Sequence, residues 1–146
     1  MVFFALLFLG CSTKTTPVYL TFNTPKIKIS DQGFLKEGFG YKKIIIYKAG
    51  IKPFEIVLKN SSVCFNNKCM DKKRFIKDID KNYPLDLLDD ILNHKPLYFL
   101  GKILKKKDGF IQKNDRFLYI VKKNSVLFKD RKKRAVIMLK YLKKKL

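Results

Sequence analysis

Apolar and polar residues alternate along much of this chain, and the alternation predicts strands. Ile27-Lys28-Ile29-Ser30 alternates, and Tyr41 to Lys48 contains Ile44-Ile45-Ile46-Tyr47, β-branched and aromatic as strands prefer. Gly33 and the stretch Lys36-Glu37-Gly38-Phe39-Gly40 predict bends. Ala49-Gly50-Ile51-Lys52-Pro53 predicts a turn, and Phe54 to Lys59 (FEIVLK) the returning strand. Asn60-Ser61-Ser62 turns again into a short hairpin. In the last third, Leu97 to Lys106 gives one or two strands and Asp108-Gly109 is a hairpin signal. Arg116 to Lys122 and Ser125 to Lys129 read as strands, and Ala135 to Leu142 as a closing strand or a helix. Ser12 to about Thr24 is polar and rich in turn residues; it predicts a tether to which Val18–Phe22 adds at most a short edge strand.

Between these strands the period changes. Asp71 to Ile79 (DKKRFIKDI) suits a short helix with Asp71 near its start. Pro84 to about Asn93 predicts a second, with Pro84 at the first helical position. Leu85, Leu88 and Leu92 share one face with Leu87 and Ile91, while Asp86, Asp89 and Asp90 take the other. Strands, two helices and strands again predict an α+β chain with a largely antiparallel sheet.

The first ten residues do not belong to this pattern. Met1 to Leu9 is an uninterrupted apolar run, followed by Gly10-Cys11-Ser12. Ten residues are too few to cross a bilayer, which needs roughly 20. A short apolar run ending in a small residue reads as a secretory signal, and Leu9-Gly10-Cys11-Ser12 resembles a bacterial lipobox. That reading divides the chain into a signal peptide over 1–10, a lipidated tether over 11–25 and a single α+β domain over 26–146. Cys11 would carry a thioether-linked diacylglycerol. The alternative is a buried N-terminal strand in which Cys11 happens to follow a glycine.

Cysteine count agrees with export. With Cys11 lipidated, Cys64 and Cys69 remain as a pair. If Asn66-Asn67 is a two-residue hairpin turn, Phe65 faces Lys68 and Cys64 faces Cys69, within disulfide reach. Two free thiols or a metal site are the alternatives, although a CxxxxC pair without companion His or Cys makes a poor zinc site.

Charge adds a further constraint. The 146 residues carry a net +21, and residues 101–146 hold 17 Lys or Arg against three acids. Such a field attracts nucleic acid, anionic headgroups or acidic proteins. For an exported lipoprotein the headgroups are nearest and nucleic acid is the least available, so the expected partners include no nucleic acid; a basic nucleic-acid-binding protein is the reading if Cys11 is not lipidated. Abundant Lys, Asn, Ile and Phe also match an AT-rich genome, and codon bias is the alternative source of the charge.

Catalytic signatures are missing. The sequence has no GxSxG, HExxH, P-loop or dinucleotide fingerprint. The single histidine, His94, falls at a predicted helix end and reads as a cap. Asp86, Asp89 and Asp90 read as a solvated helix face, not a metal site. The chain reads as a non-enzyme without a cofactor.

Four stretches together resemble the LolB family of outer-membrane lipoprotein receptors: Tyr41–Tyr47 running into the turn 49–53, the Cys64–Cys69 hairpin followed directly by a helix, Tyr83-Pro84-Leu85 leading into a helix that exits at His94-Lys95-Pro96, and the closing hairpins over Arg116–Leu142. The resemblance spans roughly residues 27–142, as a pattern of elements. It implies an unclosed antiparallel β-barrel, apolar inside, with two short helices as a lid. Leu85, Leu87, Leu88, Ile91 and Leu92 would line or lid the cavity, and Ile51 would be the residue of the membrane-insertion loop. It further implies a lipid-anchored protein on the periplasmic face of the outer membrane. Such a protein receives lipoproteins from a LolA-like carrier and passes their acyl chains into the membrane. A second class remains open, a structural or surface-interaction lipoprotein whose small domain has a solid core and binds another envelope protein.

Overall fold

The computed structural model describes residues 13–47 and 53–142. Eleven strands run in chain order: β1 (Lys14–Asn23), β2 (Lys28–Gly38), β3 (Tyr41–Ile46), β4 (Phe54–Lys59), β5 (Ser62–Phe65) and β6 (Lys68–Asp71), then, after the helices, β7 (Leu104–Lys106), β8 (Gly109–Lys113), β9 (Phe117–Lys122), β10 (Ser125–Asp130) and β11 (Ala135–Tyr141). Helices α1 (Lys72–Ile79) and α2 (Leu87–Leu92) and a 3₁₀ turn (Tyr98–Leu100) separate the two sets.

All pairings are antiparallel, and the strands form one sheet in the order β6-β5-β4-β3-β2-β1-β11-β10-β9-β8-β7. Two meanders are therefore joined along β1 and β11, with Val18 opposite Tyr141 and Asn23 opposite Val136. The edges β6 and β7 are not paired to each other, so the sheet is unclosed.

Alternation puts one residue in two on the inner face. Val18, Leu20 and Phe22 of β1 are buried there, with Phe117, Tyr119 and Val121 of β9 and Ala135, Ile137 and Leu139 of β11. The helical segment lies on this face. Phe75 of α1 packs 5.3 Å from Phe65 of β5, and Tyr83 packs 6.3 Å from Phe117 of β9. In strand order β5 and β9 are seven spacings apart, about 33 Å if the sheet were flat. The chain from Phe75 to Tyr83, half of it helical, spans about 20 Å at most. This reach fits a sheet curled around the segment.

The expected tether is a correction. Residues 14–23 form a ten-residue strand in the middle of the sheet, held by β2 on one side and β11 on the other. Its Thr-rich start hid an inward face of Val18, Leu20 and Phe22. Gly33 is not a bend either. It lies inside β2, where a Cβ would sit 2.2 Å from the Ile45 carbonyl oxygen, so the residue permits a close strand approach. Residues 97–106 give one three-residue strand and a 3₁₀ turn, and 135–141 is strand, not helix. The 107–108 turn precedes Gly109, one residue earlier than the Asp108-Gly109 signal implied, with Lys106 opposite Gly109.

Candidate functional site: the helical cover of the inner face

The feature with functional potential is the segment over 72–100, which covers the inner face between the two edge strands. Asp71 caps α1, its carboxylate accepting from the Arg74 amide at 3.0 Å. Phe75, Ile76 and Ile79 turn to the sheet and are buried. Helix α2 has only six residues, shorter than the predicted 84–93, because Pro84 to Asp86 form a turn closed by Leu87 N–H to Pro84 O at 3.2 Å. Leu87, Leu88, Ile91 and Leu92 are all buried in the core, and Leu85 is half-buried. The apolar stripe thus faces the sheet, as both a lid and a solid core require.

The end of α2 explains His94. Its φ is +57°, and its N–H donates to Ile91 O while Lys95 N–H donates to Asp90 O, the pairing of a Schellman cap. The ring packs 5.7 Å from Tyr141, and buried Nε2 has no hydrogen-bond partner. Burial, reinforced by Lys42, pushes the imidazole pKa down, so the ring is neutral near pH 7.

Polar ties hold this cover at several points. Buried Lys72 Nζ reaches both Asp89 oxygens at 2.9 and 3.1 Å, joining α1 to α2. Lys42 Nζ of β3 donates to Leu92 O at 3.4 Å, and Tyr119 OH to Lys95 O at 2.9 Å. Fully buried Gln112 accepts from Leu97 N–H at 2.8 Å and donates to Leu97 O and Gly101 O. The strongest tie is Arg116. Its Nε and Nη2 donate to the two Asp130 oxygens at 3.0 and 2.6 Å, and Nη2 also bonds Asp80, which ends α1. Tyr83 OH donates to Asp130 at 2.5 Å. The Arg116 hydrogen bond holds the Asp80 carboxyl below its ordinary pKa. Burial works against ionised Asp130, but its bonds from Arg116 and Tyr83 outweigh that and lower it too. Sequence reasoning missed Arg116, Asp130, Tyr83 and Gln112, each of which sits in a strand or turn whose long-range partner no local pattern discloses.

Cys64 and Cys69 are disulfide-bonded across the β5–β6 hairpin, Cα atoms 4.0 Å apart, with Asn66 and Asn67 at φ +47° and +70° in the turn. Cys11 and Ile51 lie outside the described residues. The strand ends that bracket Ile51, at Ile46 and Phe54, stand at the end of the sheet opposite Lys14.

Where it is covered, the inner face packs with the helical segment into one buried apolar cluster. At one mouth of the sheet a concavity of about 490 Å³ is lined by Lys14, Glu37, Lys42, His94, Lys123 and Tyr141, and a neighbouring one of about 220 Å³ by Gly40, Lys59, Asn60 and Asp89 among others. Both are lined largely by polar and charged residues. Among the described residues no group of three or more His, Cys, Asp or Glu is placed to hold a metal ion, and no helix is long and apolar enough to cross a membrane. Compared with protein-family models, curated proteins and solved structures, the chain has no match.

Proposed function

We propose that this chain is a lipid-anchored protein of the outer membrane, held at Cys11, that takes the acyl chains of client lipoproteins from a LolA-like carrier and releases them into the bilayer without catalysis or cofactor. The observation that carries the reading is the cover. An unclosed sheet presents one continuous apolar face, and a separate segment containing a six-residue helix occupies it. So short a helix has little stability of its own and depends on the burial of its apolar side. Uncovering Leu87, Leu88, Ile91 and Leu92 costs roughly 6–12 kcal/mol at about 1.5–3 per side chain. One acyl chain of about fifteen buried methylenes gains about 12 kcal/mol at ~0.8 each. The two are comparable, which is the condition for exchange in both directions.

One observation favours a second reading. The inner face and its cover form one buried cluster, and the cover is tied down by Arg116, Gln112 and Lys72, as suits a solid-cored structural lipoprotein that binds another envelope protein. Hydrogen exchange on the full-length protein separates the two. Addition of an acylated client should speed amide exchange over 84–100 while β9–β11 stay protected. Unchanged exchange in that segment at saturating client would leave the structural reading standing.

A further inference from the structure

Lys14, the first strand residue, stands only three positions after Cys11 in the sequence. Three residues reach about 11 Å when fully extended. A lipid on Cys11 therefore brings one particular end of the sheet to the membrane. Lys14 pairs with Glu37 of the neighbouring strand β2, and two residues beyond Glu37 the β2–β3 turn carries Phe39, the most exposed large apolar side chain described, at 101%. The turn is made possible by Gly40 at φ +74°. Lys14 and Lys123, from the β9–β10 turn, line the same mouth, and Lys59 lines the one beside it. Two acids near this rim are already paired, Glu37 with Lys42 at 3.1 Å and Asp89 with Lys72 at 2.9 Å. Lys14, Lys59 and Lys123 meet no acid within ion-pair distance among the described residues.

We infer that this end of the sheet is a docking surface for an anionic phospholipid bilayer, with Phe39 entering the interface and Lys14, Lys59 and Lys123 meeting headgroup phosphates. An aromatic ring at a turn tip, ringed by cations, matches the layered chemistry of a membrane surface, apolar below and anionic above. The same orientation opens the mouth lined by Lys14 and Lys123 toward the lipid, so an acyl chain leaving the inner face crosses little water. The inference rests on the anchor at Cys11.

The chain has no tryptophan, so Phe39→Trp creates a single fluorescent reporter at the rim. Tyr98→Trp places one in a side chain 86% exposed beside the opposite end of β9. Full-length protein from a lipoprotein-processing host is mixed with vesicles of 30% phosphatidylglycerol in phosphatidylcholine, some carrying brominated acyl chains, and floated. We expect flotation, quenching of the Phe39→Trp emission by bromolipid, and quenching of the Tyr98→Trp emission by aqueous iodide. Flotation with the Phe39→Trp reporter open to iodide and blind to bromolipid overturns the docking surface and leaves the anchor intact. Failure to float overturns the anchor. In that case bromolipid quenching of the Phe39→Trp emission upholds the surface on its own, and its absence overturns the surface too. In the Cys11→Ala form, Lys14→Gln with Lys123→Gln should lower vesicle partition roughly thirtyfold; an unchanged partition removes the lysines from the contact.

Discussion

At the scale of single residues, the Arg116 cluster and His94 set how the domain answers pH. Asp80 and Asp130 titrate lower in the folded protein than in the unfolded chain. Their stabilisation is therefore complete above the unfolded value, about 3.9, and is lost as pH falls below it toward the folded values. His94 also titrates lower when folded. Below about pH 6.5 the unfolded chain takes up a proton that the half-buried ring resists, so stability begins to fall there. Urea midpoints across pH 7 to 3 should show both losses. His94→Asn, which tolerates the left-handed cap, should remove the upper one alone; an unchanged profile between pH 7 and 5 would contradict the assignment. Arg116→Met should cost about 3–5 kcal/mol at pH 7, because it leaves two buried carboxylates without their cation. A loss below about 1 kcal/mol would show that water takes its place.

Elements show how far local pattern carries. FEIVLK became β4 as read, and DKKRFIKDI became α1 with Asp71 as its cap. The paired asparagines set the Cys64–Cys69 register because both adopt positive φ. These were legible because turn chemistry and side-chain period act within a few residues. The pattern failed where a distant partner decides. Residues 14–23 became a central strand because β11 closes beside them, a pairing across more than a hundred positions. Gly33 stayed in a strand because β3 approaches it. The first three residues of the predicted second helix became a turn, closed by the Leu87 N–H on the Pro84 carbonyl. At the candidate site the apolar stripe was legible in the sequence. Its polar ties were not, because Gln112 and Arg116 each reach a partner on another element. Gly109 tests this kind of constraint. A Cβ there would lie 1.9 Å from the Val121 carbonyl oxygen, so Gly109→Ala should destabilise by about 3 kcal/mol in a urea titration. A neutral result would mean the β8–β9 pair separates readily.

For the whole molecule, one sheet and one inserted segment account for the architecture, and the proposed anchor with the surrounding charge would give it a direction. The chain carries a net +21, and the outer positions of the sheet on β9–β11 carry Lys122, Lys129 and Lys140 and no acid. The proposed acyl transfer requires that the inner face give up its own helix for a client's lipid. Transfer tests that claim most directly. A carrier loaded with a fluorescent triacylated lipoprotein is mixed with vesicles bearing the full-length protein, and the client is followed by flotation. The account predicts that label moves to the vesicles many times faster than to protein-free vesicles, with no nucleotide added. Label that stays on the carrier at the protein-free rate would contradict it.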